Sequence, residues 1–188
     1  MRRAITGLNP ERYKQEPAYT AALLGRLEGI AYSDSDGSVV FKPTNVNSIG
    51  PGAAESWSGA DFAITAEIRK GNLGVTKAIL AQAKLGSIQD LAPSRREDLA
   101  GQIQKMRHFT RSPKVVLYRD FDGQREPEVV SGVRIVEGLP SKPMSLPDYF
   151  VRRVLTTLDG DTRPDFVAGV QESSLKQLQV IARVRSNL

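Results

Sequence analysis

The clearest pattern of hydrophobic and polar positions along the chain runs from Ser58 to Gly86. In DFAITAEI, Asp61 to Ile68, the apolar Phe62, Ile64, Ala66 and Ile68 share one parity, and Asp61, Ala63, Thr65 and Glu67 share the other. That is the period-two alternation of a strand. In KAILAQAK, Lys77 to Lys84, Ile79, Ala81 and Ala83 alternate with Ala78, Leu80, Gln82 and Lys84. The intervening RKGNLGVT carries Gly71, Asn72 and Gly74 and predicts a hairpin with a long loop. An antiparallel register that pairs Ile68 with Lys77 sets Asp61 opposite Lys84 and Ala63 opposite Gln82.

The same reading, extended along the chain, predicts an α/β protein. Residues 1 to 15 are polar and read as a loosely attached arm. Pro17 opens a helix that runs to about Glu28. SVVFKP is a short strand, and the Asn-, Gly- and Pro-rich stretch after it, up to Trp57, is largely loop, with Glu55 a possible extra acid. Ser94 and Glu97 form a capping box for a helix reaching Phe109, with Leu99, Ile103 and Met106 as its apolar stripe. Strands follow at Lys114 to Phe121 and Glu128 to Val136, with Asp120 and Asp122 ending the first and making a turn. A helix runs from Pro147 to Leu158, with Tyr149, Phe150, Val154 and Leu158 facing inward. The final SSLKQLQVIARVRSNL, in which Leu175, Leu178, Ile181 and Val184 recur every third position, predicts a second amphipathic helix.

The hairpin's polar residues carry the candidate chemistry. Gln82 and Lys84 share a face, and the pairing gathers a carboxylate, an amide oxygen and an ammonium at one end of the sheet. A hard divalent cation such as Mg²⁺ takes oxygen ligands and keeps several waters, so Asp61 and the Gln82 carbonyl oxygen suit it. Such an ion polarises a phosphoryl oxygen and lowers the pKa of a bound water, while Lys84 orients that water or stabilises charge on phosphorus.

Asp61, a hairpin, and then Gln82-Ala83-Lys84 resemble the PD-(D/E)XK nuclease superfamily in its Q-x-K form, as in Mrr-like restriction endonucleases. The resemblance spans roughly Glu11 to Asp120. It implies a single restriction-endonuclease-like domain over residues 1–188: a central mixed sheet flanked by helices, with residues 140–188 as a C-terminal helical part. It implies a DNA endonuclease dependent on Mg²⁺ or Mn²⁺, serving phage defence or DNA processing. It also implies a further acid on the helix before the hairpin, which is Glu16 or, at the far end, Glu28, and a polar accessory side chain on the later helix, Gln102. Arg95, Arg96, Lys105 and Arg107 are the residues for DNA phosphates. A neutral amide attracts a cation less than a carboxylate does. The competing expectation is therefore a catalytically inactive DNA-binding or assembly module on the same fold.

Composition narrows the alternatives. With 188 residues, 40% of them hydrophobic, the chain can bury the core of one domain. A formal net charge of +5 fits a polyanionic partner. There is no cysteine, which excludes disulfides, thiolate nucleophiles and cysteine-ligated zinc. The sole histidine, His108, supports neither a triad nor a zinc site. Asp34 and Asp36 begin like a calcium loop, but Asn45 stands where the closing Glu belongs. No P-loop or dinucleotide fingerprint is present. No apolar run has signal-peptide or membrane-span length, and a cytoplasmic location is expected. The C-terminal helix is the expected surface for a homodimer.

Overall fold

The structure is a computed structural model that describes residues 1–44, 54–118 and 126–185. The helices are α1 (Arg2–Ile5), α2 (Glu16–Leu27), α3 (Ala54–Ser58), α4 (Pro93–Phe109), α5 (Gly132–Val136), α6 (Leu146–Tyr149) and α7 (Pro164–Glu172). The strands are β1 (Ala31–Ser33), β2 (Gly37–Thr44), β3 (Phe62–Lys70), β4 (Leu73–Leu85), β5 (Lys114–Tyr118), β6 (Glu128–Ser131), β7 (Met144–Ser145) and β8 (Lys176–Val184). All eight lie in one open sheet of order β1-β2-β8-β3-β4-β5-β6-β7. β3 and β8 are parallel, as are β4 and β5; the other neighbours are antiparallel.

Each face of the sheet buries its own core. Phe62, Ile64, Ala66, Ile79, Ala81 and Ala83 pack with Leu23, Leu24 and Leu27 of α2. Ala63, Ala78, Leu80, Val115 and Leu117 pack with Leu99, Ile103 and Met106 of α4. The alternation read from the sequence thus serves two cores rather than one core and solvent, because β3 and β4 are interior strands.

The β3–β4 hairpin differs from the predicted one in its turn. Lys70 pairs with Leu73, so the connection is Gly71-Asn72 alone, and Gly71 has φ 57°. A two-residue hairpin loop with a glycine at positive φ in its first central position matches the twist of the strands. The register therefore shifts by two residues: Ile68 pairs with Val75, not Lys77, and Ala63 with Leu80, not Gln82. Asp61, whose backbone N–H donates to Ala81 O at 3.0 Å, falls level with Gln82 and not with Lys84. A shift of two preserves parity, so Gln82 and Lys84 keep the face that was read for them.

The largest correction is at the C-terminus. Residues Lys176–Val184 are not a helix but β8, bonded to β2 on one side and β3 on the other. Leu178, Val180 and Ala182 are buried at alternate positions. The three-residue spacing was misleading because Ile181, on the opposite face from Leu178, Val180 and Ala182, is also apolar. With β8 interior to the sheet, the C-terminal helix through which a dimer was expected is absent, while α6, a π-helical turn over Phe150–Val154 and α7 (Pro164–Glu172) are the helical segments between residue 140 and β8.

Smaller corrections follow the same logic of tertiary context. Residues 1–15 are not a loose arm: Ile5 and Leu8 are buried in the α2 core, and Pro10–Arg12 forms a 3₁₀ turn. The Ser94 capping box does not form, because α4 begins one residue earlier with Pro93 in its first turn and Ala92 as N-cap. The strand from Glu128 stops at Ser131, where Gly132 opens α5 and donates its N–H to Pro113 O at 2.9 Å. The Pro147 helix is α6 continued by a π-helical turn, Phe150–Val154, and Leu158 is exposed instead of facing inward. α7 lies where no helix was expected. Asp120 and Asp122 and the loop at 45–53 lie outside the described residues, as does the Glu55 side chain.

Candidate functional site

The candidate residues converge where β4 ends and β3 begins. Parallel β4 and β5 are joined through α4, and the crevice beyond the carboxyl ends of such strands is a place where α/β folds bind ligands. Asp61 immediately precedes β3, on the α4 side of the sheet. Its Oδ2 accepts from Gln82 Nε2 at 2.6 Å and from the Ala83 backbone N–H at 2.6 Å. Gln82 is buried, 1% exposed. Its Nε2 also donates weakly to Ala83 O at 3.4 Å, while its Oε1 is buried without a hydrogen-bond partner among the described residues.

Two residues on, Lys84 shares this face, and successive same-face positions on a strand are about 6.6 Å apart. Its Nζ lies 3.5 Å from Glu16 Oε2, and Glu16 Oε1 accepts from the Leu85 N–H at 3.3 Å. Of the two acids the sequence offers on this helix, Glu16 preferred and Glu28 the alternative, the structure brings Glu16 to Lys84. Glu28 caps the other end of α2, about 18 Å along the axis.

A chain of hydrogen bonds holds Glu16 in place. The Thr20 hydroxyl donates to Glu16 O at 2.9 Å and lies 3.0 Å from Tyr118 Oη on β5. Gly86 N–H in turn donates to Tyr118 O at 2.9 Å. Burial pushes the Tyr118 phenol well above its ordinary range, so it stays protonated. The sequence signals α2 but not this tether, because Thr20 and Tyr118 are 98 positions apart.

An open cleft of about 600 Å³ is lined by Glu16 and Lys84 together with Gln102, the basic Arg95 and Lys105 and the acidic Glu97 and Asp98 of α4. Gln102 Oε1, like Gln82 Oε1, is buried without a hydrogen-bond partner among the described residues. Gly59, at φ 73°, lets the chain pass directly over the α4 backbone, since a Cβ there would stand 2.3 Å from Gln102 O. Of the four candidate DNA-binding residues, Arg95 and Lys105 line the cleft. The other two do not. Arg96 donates to Leu91 O and Gln89 O, and Arg107 faces Glu137 at 3.9 Å.

A second polar cluster was not signalled by the sequence. Lys77 is fully buried, and its Nζ donates to Asp159 O at 2.5 Å. Lys114 Nζ lies 2.7 Å from Asp159 Oδ2. Desolvation lowers the Lys77 pKa to about 8, only partly offset by the Asp159 charge.

Among the described residues, no three His, Cys, Asp or Glu side chains are grouped to hold a metal ion. The oxygen donors at the site are the Asp61 and Glu16 carboxylates and the Gln82 amide. The orphaned Gln82 Oε1 beside Asp61 fits a hard cation, which Mg²⁺-type sites bind through one or two carboxylates and otherwise water. No helix of the described residues is long and apolar enough to cross a membrane. Comparison with protein-family models, with curated proteins and with solved structures finds no match to this chain.

Proposed function

We propose that this protein is a divalent-metal-dependent DNA endonuclease with a restriction-endonuclease-like fold. The observation that carries the reading is the pairing of Asp61 with Gln82, whose buried Oε1 has no partner among the described residues, two positions along β4 from Lys84, which pairs with Glu16 in the lining of an open cleft. Buried polar oxygens are rarely left unsatisfied, and a cation or its water shell would satisfy this one.

Asp61 and Gln82 would hold Mg²⁺ or Mn²⁺, with Glu16 assisting from the end of α2. The bound ion supplies a Lewis acid for the phosphoryl oxygen and a water of lowered pKa. Lys84 does the rest of the local work: its ammonium, steadied by Glu16, donates a hydrogen bond to the attacking water or to the oxygen on which charge develops. Arg95 and Lys105 take the neighbouring phosphates of the strand. Hydrolysis adds water across one P–O bond, leaving a phosphate monoester and a hydroxyl.

One observation favours a second reading, a metal-free binding or assembly module. Gln82 already spends its amide on Asp61, and among the described residues no three His, Cys, Asp or Glu side chains are grouped to hold an ion. Incubating the protein with plasmid, linear duplex and single-stranded DNA in Mg²⁺, Mn²⁺ or EDTA separates the two. Cleavage in either metal and none in EDTA is expected. DNA binding without cleavage of any substrate would favour the module.

A further inference from the structure

We propose that residues 155–163 form a strap across β4 that opens locally, apart from the rest of the fold, and that the buried Lys77 amine governs the opening: the strap loosens as this amine takes up a proton. The inference does not depend on the nuclease reading.

β4 is longer than the strand beside it. Its residues Ala81 to Leu85 pair with β5, and three positions earlier Ala78 meets Asp161 instead, exchanging backbone hydrogen bonds of 2.9 Å in both directions. The strap thus completes the sheet where β5 has not yet begun. What holds it there is almost wholly polar. No residue of 155–163 is buried, Leu158 is 69% exposed, and only Leu155, at its start, packs partly against the core. Segments with few buried apolar contacts open well below the free energy of global unfolding.

Asp159 is the point of attachment. Its carboxylate accepts from Ser112 Oγ at 2.8 Å and from the Gly160 N–H at 2.9 Å, and it lies 2.7 Å from Lys114 Nζ. Its carbonyl oxygen takes the Lys77 ammonium. The backbone bends tightly to reach this arrangement. Thr157, a β-branched residue, has φ 62°, and Gly160 has φ 105° against Lys77, where a Cβ would stand 2.9 Å from Lys77 Cδ. Left-handed backbone at a non-glycine residue is a strain that opening releases.

Closure is also what strips Lys77 of water. The side chain is fully buried, and of the three N–H groups of an ammonium one finds a partner among the described residues. Val75 and Ile79 on its own strand face, and Ala66 opposite it on β3, are apolar. The charged groups around it are Asp159 of the strap and Lys114 of β5, with the Tyr149 phenol of α6, itself under the Arg153 charge, beside Asp159. Burial pushes that phenol well above its ordinary range. Burial would raise Asp159 too, but the Lys114 charge outweighs it and holds the carboxyl low, and Asp161 is held low by Arg163 within the strap. Lys77 is the group that changes charge near neutrality: burial, partly offset by Asp159, brings it to about 8 from 10.5. An open strap returns the amine to water and to its ordinary value. Opening therefore takes up a proton between these values and becomes rarer as pH rises.

Native-state amide exchange tests this on the intact protein. Protection factors of Ala78 and Asp161, whose amides bond across the bridge, are followed from pH 7 to 9 beside that of Ile64 in the interior of β3, at a low temperature where reclosing outruns exchange. The two bridge amides should be less protected than Ile64 by about tenfold or more. They should also be nearly indifferent to urea below the unfolding midpoint, because a small opening exposes little surface, whereas Ile64 should lose protection. From pH 7 to 9 their protection should rise about tenfold, the ratio that values of about 8 and 10.5 set. Lys77→Met should abolish that rise. Bridge amides that match Ile64 in protection and in urea response mean that the strap opens only with the whole molecule, which overturns the proposal. Protection that stays constant from pH 7 to 9 in the native protein overturns it as well, and that comparison requires no variant to fold.

Discussion

Gln82 donates its side-chain amide to the Asp61 carboxylate across 2.6 Å while its own carbonyl oxygen is buried with no partner among the described residues. The amide thus does what a second carboxylate could not do in the absence of a cation: it sits against Asp61 without repulsion and still offers an oxygen to the site.

Exchanging that amide for an acid gives the first prediction. Gln82→Glu places two carboxylates in hydrogen-bond range in a buried setting, which raises one of their pKa values and destabilises the ion-free protein by about 2–3 kcal/mol. A divalent ion should reverse the loss, since a ligand that binds only the folded state stabilises it by mass action. Thermal melts in EDTA and in millimolar Mn²⁺ check this. The Mn²⁺-induced rise in Tm should be larger for Gln82→Glu than for the native protein, and no rise in either would count against an ion at this position.

Gly59 and Gly101 make an opposed pair. Gly59→Ala would put a Cβ 2.3 Å from Gln102 O in a left-handed conformation, so a loss of about 2–4 kcal/mol is expected, along with displacement of Asp61 from Gln82. Gly101→Ala lies within α4 with nothing within 4 Å of its Cβ and should stabilise by about 0.5–1 kcal/mol. Denaturant midpoints of the two variants should move in opposite directions.

Lys77 sets an alkaline pH dependence. Its folded pKa, about 8, lies below its ordinary value of 10.5. Between these values the unfolded chain holds a proton that the folded chain has released, so stability rises with pH through that window, by on the order of 3 kcal/mol at most. Tyr19, whose pKa burial lifts to about 12, and the still more strongly raised Tyr118 and Tyr149 act in the opposite sense. Above pH 10 the unfolded tyrosines ionise first and stability falls. Urea unfolding from pH 7 to 11 should therefore show a maximum near pH 10, and Lys77→Met should flatten its rising limb.

Some of this architecture was legible in the sequence and some was not, for identifiable reasons. Alternation located β3 and β4, and because side chains repeat every two residues, Gln82 and Lys84 kept their shared face even though the register moved by two. The register depended on whether Gly71-Asn72 alone could turn the chain, which the neighbouring Gly74 disguised. β8 was misread because Leu175, Leu178, Ile181 and Val184 coincide with a three-residue spacing, while Leu178, Val180 and Ala182 alternate with Gln177, Gln179, Ile181 and Arg183 as a strand does. Glu16 was narrowed to one of two by its place on α2. Its tether through Thr20 to Tyr118, and the meeting of Lys77 and Lys114 at Asp159, depend on long-range packing that local pattern does not encode.

The central claim is that Asp61 and Lys84 cleave DNA with a divalent ion, and the most direct measurement is Mg²⁺-dependent plasmid nicking by the native protein, Asp61→Ala and Lys84→Ala. Each variant's folding is verified by its thermal melt. The account predicts nicking by the native protein that EDTA abolishes, and a loss of at least about a hundredfold in each folded variant, the scale on which removal of one transition-state donor acts. Nicking that persists undiminished in both folded variants would contradict it.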